Sequence, residues 1–407
     1  MAEIAFEALM IGLETTRGTA VAPSHYANMT GSLVPRIERY APDEARGSLA
    51  ARFRSKTVRT WGEFTAEGPL DVNLLPVWLN MAATGDMTDQ PSTPGGGTNS
   101  CLWEFVPTLT SDDLKTATIW WGDRNVQVFR GKYGHVNEIT IRNDASSTDG
   151  ATMSVTGRTQ KPDYQTATIS GATAANPVVV TATAHGFANG DLVEITDVAG
   201  MVELNGNTYT ISAVAANTFT LTGVNGTGYT AYTSGGTARK VAPAAPAQLT
   251  APLITGGDMS LWLDSGGDAI GTTAITGRVI SAEHVLPVNW STKYLAAGPG
   301  STGSFTRLGR SKRSLTTRVV MELIDLAQYE LFNADTSVKL RVRHNGPLIE
   351  GSLYNYVEID TYGPLVMTDW GELESTNRTI AFEIVSEYDT DLGADWRIAV
   401  QNERTAL

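Results

Sequence analysis

Through most of the chain apolar and polar positions alternate with a period of two, in short runs separated by Gly, Asn and Asp, which predicts antiparallel strands joined by turns. WEFVPTL, ATIWWG, VNEITIRN and ATMSVTG in the first part, and SVKLRVRH, YVEIDTYG and RTIAFEIVSEYD in the last, are of this kind and read as antiparallel meanders. Two segments break the period. Leu75, Trp78, Leu79 and Ala82 recur at helical spacing behind Asp71 and Asn73, and Leu326, Tyr329 and Phe332 behind Asp325. Each predicts a short capped helix with one buried face, and helices of about ten residues need a sheet to pack on.

The pattern also divides the chain. Residues 1–163 and 253–407 mix their charges and hold all nine tryptophans, whereas 164–240 carries Asp191, Glu194, Asp197 and Glu203 with no base before Arg239. That middle span has 15 threonines from Thr166 to Thr237, and β-branched residues suit a half-exposed pleat. It reads as a small Thr-rich β module, followed by a Pro/Ala linker at 241–252. The outer regions resemble each other in order: ALMIGLETTRGTAV and MTGSLVPRIER match DMSLWLDSGGDAIG and ITGRVISAEHV, and FRSKTVRTWGEFTAEGPLDVNLLPVWLNMA matches GRSKRSLTTRVVMELIDLAQYELFNA. The fold class expected is all-β with two short helices, a β-sandwich or barrel present twice with the module between the copies.

Composition narrows the chemistry. At 407 residues and 42% hydrophobic the chain is long enough for two or three cores, and no run approaches the roughly 20 apolar residues of a membrane helix. The start, MAEIAFEALMIGLETTRG, has no basic leader, so no cleaved export signal is expected. One cysteine, Cys101, excludes an intrachain disulfide and a cysteine zinc cluster. A net charge of −13 argues against wrapping nucleic acid, which needs clustered bases. His25, His135, His185, His284 and His344 lack metal-ligand spacing and read as turn or surface residues; Asp389 and Asp391 read as solvated turn residues. GPGSTG at 298–303 satisfies G-x-G-x-x-G without the strand and helix that phosphate binding requires. No enzyme activity, metal or cofactor is expected.

Two long basic loops remain, at 41–60 and 296–314, in matching positions of the two copies. Connections of that length are uncommon in compact domains unless functional or disordered, and the bland alternative is a pair of flexible solvated loops. Arg52, Arg54, Lys56 and Arg59 in one, and Arg307, Arg310, Lys312 and Arg313 in the other, read as arms that dock on a neighbouring molecule.

EGPLDVNLLPVWLNMAATG, KYGHVNEITIRN, VEIDTYGPLV and AFEIVSEYDTDLGADWRIAVQN resemble the major tail protein, or tail tube protein, of long-tailed bacteriophages. The resemblance spans both outer regions. It implies a tail-tube-type β-sandwich with a flanking helix, inner strands joining between subunits, and stacked rings forming a hollow tube in the virion tail, assembled in the host cytoplasm. Its partners would be further copies of itself, the tape measure, tail terminator and distal tail proteins, and double-stranded DNA passing without specific binding, with no membrane. By the same analogy the length favours a non-contractile tail. A ring of six tube folds would need three chains carrying two each, in a trimeric pseudo-sixfold ring; a hexamer is the alternative. The basic arms would then lie between stacked rings. NPVVVTATAHGFANGD, LNGNTYTI and NTFTLTGVNGTGYTAYTSGG resemble a small module of phage virion proteins named after the first catalytic cysteine half-domain of ubiquitin-activating enzymes. The segment has no cysteine, so that activity is excluded, and such modules usually decorate the outer wall. The competing expectation is host-surface carbohydrate binding, with Tyr209, Tyr229 and Tyr232 as stacking faces, although alternating aromatics more often fill a core.

Overall fold

The computed structural model describes residues 6–44, 54–82, 98–107, 115–295, 303–374 and 377–404, with the side chains of 310, 371–374 and 377 excepted. The first region contributes β1 (Glu7–Glu14), β2 (His25–Ala27), β3 (Thr30–Tyr40), β4 (Lys56–Pro69), α1 (Leu75–Ala82), β5 (Cys101–Phe105), β6 (Thr116–Asp123), β7 (Gln127–Asp144) and β8 (Thr152–Thr159). The middle region forms β9 (Thr166–Thr168), β10 (Gly171–Ala172), β11 (Val179–Thr181), β12 (Leu192–Ala199), β13 (Asn207–Ser212), β14 (Thr218–Leu221) and β15 (Ser234–Ala242), paired in the order β10-β11-β14-β13-β12-β15-β9 around its own core. The third region follows with β16 (Met259–Ser265), β17 (Ala274–Ile275), β18 (Val279–Pro287), β19 (Trp290–Lys293), β20 (Arg307–Arg310), β21 (Thr316–Glu322), α2 (Ala327–Asn333), β22 (Ser337–Glu350), β23 (Leu353–Glu374), β24 (Asn377–Val385) and β25 (Trp396–Asn402).

The protein is all-β with two short helices, and the same arrangement occurs twice. β3, β4, β8 and β7 lie side by side in that order, and so do β18, β21, β24 and β23. In each quartet the third strand of the chain is the outermost beyond the fourth, so the strands do not form the simple meander that the runs suggest. β7 and β23 are long because each serves two sheets: its N-terminal part pairs with β6 or β22 in a back sheet, its C-terminal part with β8 or β24 in the front one. β7 turns between the two where Tyr133 takes φ +56°, and β23 does so beside Pro364. Even the irregularities coincide, since β7 bulges between Val136 and Glu138 and β23 between Met367 and Asp369.

The two quartets are fused. β18 pairs with β7 from Ser281↔Asp144 to Pro287↔Glu138, which makes one antiparallel front sheet in the order β3-β4-β8-β7-β18-β21-β24-β23. At the back, β5 crosses to the other copy and pairs with β25. Arg397 of β25 bonds to Glu104 of β5 and to Glu358 and Asp360 of β23, fixing that register. The core beneath α1 therefore draws Leu75, Trp78 and Leu79 together with Val357, Trp396 and Ile398 from the far end of the chain.

The helices start where expected, with Asp71 Oδ1 accepting from the backbone N–H groups of Asn73 and Leu74, and Asp325 Oδ1 from that of Ala327. Their packing differs. Every apolar side chain of α1 is buried, whereas Leu326, Tyr329 and Phe332 at α2 are exposed, against the expected buried face. All five histidines are buried, contrary to the surface reading. Asp389 is buried too, held by Lys339 at 3.6 Å, while its exposed neighbour Asp391 sits 3.0 Å from the same ammonium. The segment after the module is less linker-like than its composition suggests, because Val241 and Ala242 complete β15 and are buried.

Candidate assembly interface

Alternation gives the front sheet two unlike faces. Leu33, Phe64, Val155, Ile139, Leu286, Val319 and Phe382 point into the core, so their neighbours along each strand point the other way. That second face is charged and open to solvent, with Glu63, Arg142, Glu283, Arg318 and Glu383 all at least partly exposed. Arg142 Nε donates to Glu283 Oε1 at 2.7 Å, and Arg36 Nε to Glu63 Oε2 at 2.8 Å.

The six inner strands of this sheet have neighbours on both sides. β3 pairs only with β4, and the 365–374 part of β23 pairs only with β24. Both ends are thus open ladders of backbone N–H and C=O groups, the feature through which sheets add further strands. Apolar side chains mark both: Val34, Ile37 and Tyr40 on β3, and Val366 and Trp370 on β23, are exposed.

The seam between the two quartets contains a closed hydrogen-bond chain. The Asn143 amide nitrogen on β7, which can only donate, lies 3.1 Å from His344 Nδ1. His344 Nε2–H then donates to His284 Nε2 at 3.3 Å, and His284 Nδ1–H to Thr317 Oγ1 at 3.0 Å. Thr317 is 3.0 Å from Thr361 Oγ1, which ends the chain. Both imidazoles are held neutral: burial lowers His344 to about 4, and burial followed by the neighbouring His344 pushes His284 well below 6.5. Burial also lowers His135 and His25 to about 4. A sequence signal for this existed in the core-face spacing of Ala282, His284 and Leu286.

The basic arms lie at the end of the front sheet where β4 and β21 begin. Arg52 lies outside the described residues. Arg54 Nε donates to Glu44 at 2.8 Å, Lys56 opens β4 opposite Tyr40, and Arg59 reaches Glu38 at 3.3 Å with its guanidinium over the Tyr294 ring. Arg307 and Arg310 lie on β20, opposite Lys293 and Trp290 of β19. Lys312 gives its carbonyl to Asn289, and Arg313 lies over Trp396. The two arms meet where Thr60 N donates to Gly303 O at 3.0 Å, beside a cavity of about 950 Å³ lined by Arg59, Lys132, Lys161 and Tyr294. The other bases are not gathered into it. Among the described residues no group of three or more His, Cys, Asp or Glu is placed to hold a metal ion.

The module is docked on the first region rather than suspended from it. Asp191 and Lys240 form a buried ion pair at 2.7 Å, with the ammonium over Trp120 of β6. Gln127 Nε2 of β7 donates to the Lys240 carbonyl at 3.0 Å, and Leu192 packs with Met10, Trp120 and Val128. Tyr209, Tyr229 and Tyr232 are half-buried against the module's own core, and the Tyr232 hydroxyl lies 3.2 Å from the Ile169 carbonyl and 3.0 Å from that of Gly235. Residues 175–242 match the FCCH domain of ubiquitin-activating enzyme E1. No curated protein matches the chain.

Proposed function

We propose that the chain is a structural subunit that closes head to tail into a ring, and that such rings stack into the tail tube of a long-tailed bacteriophage. The observation that carries this is the front sheet: two equivalent quartets fused edge to edge, with both outer edges open and a charged face opposite the core. Because its strands alternate in direction and are even in number, β3 of a second copy meets β23 antiparallel, and the addition repeats without change of sense. Three copies would enclose roughly 24 strands; at a spacing of about 4.8 Å that is a barrel at least about 37 Å across, wider with strand tilt. The charged face would then line the bore, where the arginines are matched by glutamates, Arg36 with Glu63, Arg142 with Glu283, and Arg318 between Glu283 and Glu383, so that DNA phosphates meet no uncompensated cluster of bases and can pass.

In this reading the basic arms, including Arg52, stand between stacked rings, the module decorates the outside, and the tube's other partners are the tape measure, terminator and distal tail proteins. Imaging of the purified full chain by electron microscopy without imposed symmetry tests it. Rings of three chains, or tubes made of them, are expected. A protein that stays monomeric at every attainable concentration refutes the proposal, and six chains per ring refutes the trimer.

A further inference from the structure

The chain contains a template for its own intermolecular contact. β7 and β23 bulge at the same place, which equates Glu138 with Asp369 and Ile139 with Trp370. On the other side, Leu33 pairs with Phe64, which pairs with Gly157, while Ala282 pairs with Val319, which pairs with Phe382. Gly157 and Phe382 face Val136 and Met367, the residues just before the two bulges. Leu33 is therefore equivalent to Ala282, and four residues on, Ile37 is equivalent to Leu286.

At the internal seam Leu286 faces Ile139, and the two are 3% and 2% exposed. Their equivalents Ile37 and Trp370, on the two open edges, are 47% and 48% exposed. α1 covers the internal seam with every apolar residue buried, whereas α2, over the β23 edge, leaves Tyr329 and Phe332 in solvent, with the Tyr329 ring 5.0 Å from Trp370. What these residues lack, relative to their equivalents, is the adjoining strand.

We infer that the β3 edge of a second copy docks on β23 in the register of the internal seam, with Ile37 of one chain directly opposite Trp370 of the next and under α2. This rests on the ring reading above and assigns its contact residues. The same register sets Glu38 opposite Asp369. Two carboxylates face to face repel, and Arg59, already on Glu38 at 3.3 Å, is the base that bridges them. Arg59 then belongs to the contact within a ring rather than to that between rings.

Disulfide trapping tests the register, since the native Cys101 is buried. The full chain carrying Ile37→Cys and Trp370→Cys is oxidised with diamide and compared with Pro35→Cys/Trp370→Cys and Arg39→Cys/Trp370→Cys. Opposed Cα atoms of an antiparallel pair lie about 4.5–5.5 Å apart, within disulfide reach, while a shift of two residues adds about 6.7 Å along the strand and exceeds it. The 37/370 pair is expected to link at least about tenfold faster than either shifted pair, giving covalent dimers and trimers. Mixing the two single variants should give dimers alone. If a shifted pair links faster, or if rings form and no pair links, the register is wrong while the ring stands. A native chain that shows no assembly by light scattering removes the ring reading and this inference with it. Ile37→Asp, which leaves no cavity in the free chain, should weaken assembly without altering its melting temperature; unchanged assembly counts against the contact.

Discussion

Moderate acid should destabilise this protein through its buried histidines. In the unfolded chain each histidine takes a proton near pH 6.5, whereas His25, His135 and His344 do so in the folded state only at about 4. The folded-state values are depressed, so the stability in question is fully present above pH 6.5 and is lost as pH falls through the window from 6.5 to about 4. Linkage gives a loss on the order of 1 kcal/mol per histidine between pH 6 and pH 5, or a few kcal/mol for these three, with His284 adding to it in the same direction. The two seam imidazoles have no spare acceptor for a further proton, because each ring nitrogen already gives or takes a bond in the chain from Asn143 to Thr361. Urea unfolding of the unassembled chain at pH 7, 6 and 5 measures the effect, and the His344→Asn variant should show a shallower dependence. A midpoint that is flat or rising between pH 7 and 5 would falsify the assignment of neutral, proton-excluding histidines.

The two helices should respond oppositely to truncation in the free chain. Trp78→Ala, which empties a fully buried site stacked on Phe64, should cost about 3–5 kcal/mol, while Phe332→Ala should change the melting temperature little. Lys240→Met strands the buried Asp191 carboxylate and should cost about 3–5 kcal/mol, with only part of it recovered in Lys240→Met/Asp191→Leu because the carboxylate also accepts from the Ala188 and Ala244 N–H groups; thermal unfolding of the pair and the singles separates these terms. Replacing 166–242 with a Gly/Ser segment uncovers Trp120 and Val128, so a lower melting temperature is expected with ring formation retained; a folded product that forms no rings would show that the module is part of the tube wall. Changing Arg307, Arg310, Lys312 and Arg313 to Ser should shorten tubes seen by electron microscopy, and unaltered length at low and high salt would remove them from the contact between rings.

The strands were legible because most of them keep one face in the core. ATMSVTG alternates cleanly, RTIAFEIV keeps Ile380, Phe382 and Ile384 at alternate core-facing positions, and both are matching strands of the two quartets. The repeat was legible for the same reason, carried by order rather than by letters. What the pattern could not convey was anything requiring a partner distant in sequence. β5 looks like any other strand, and nothing in CLWEF announces that it pairs with residues 398–402. The same limit explains α2, whose amphipathic spacing predicted a buried face, whereas Leu326, Tyr329 and Phe332 are exposed among the described residues. The histidines were misread by type: charge at low pH makes the residue look like a surface group, whereas His284 occupies a core-facing position between Ala282 and Leu286.

For the proposed three-chain ring, joining the quartets in one polypeptide would also change the reaction order of assembly. Half of the seams around a three-chain ring form within a folding chain, at a rate independent of concentration, and only the remaining half wait for collisions. A nucleus built from separate single-quartet subunits would scale with roughly the sixth power of monomer concentration, and this one with roughly the third. In the proposed ring the fused chain would therefore close at dilutions where unlinked halves would remain apart, and the strength of the intermolecular seam, free of that burden, would be left to tune how readily a ring exchanges its members.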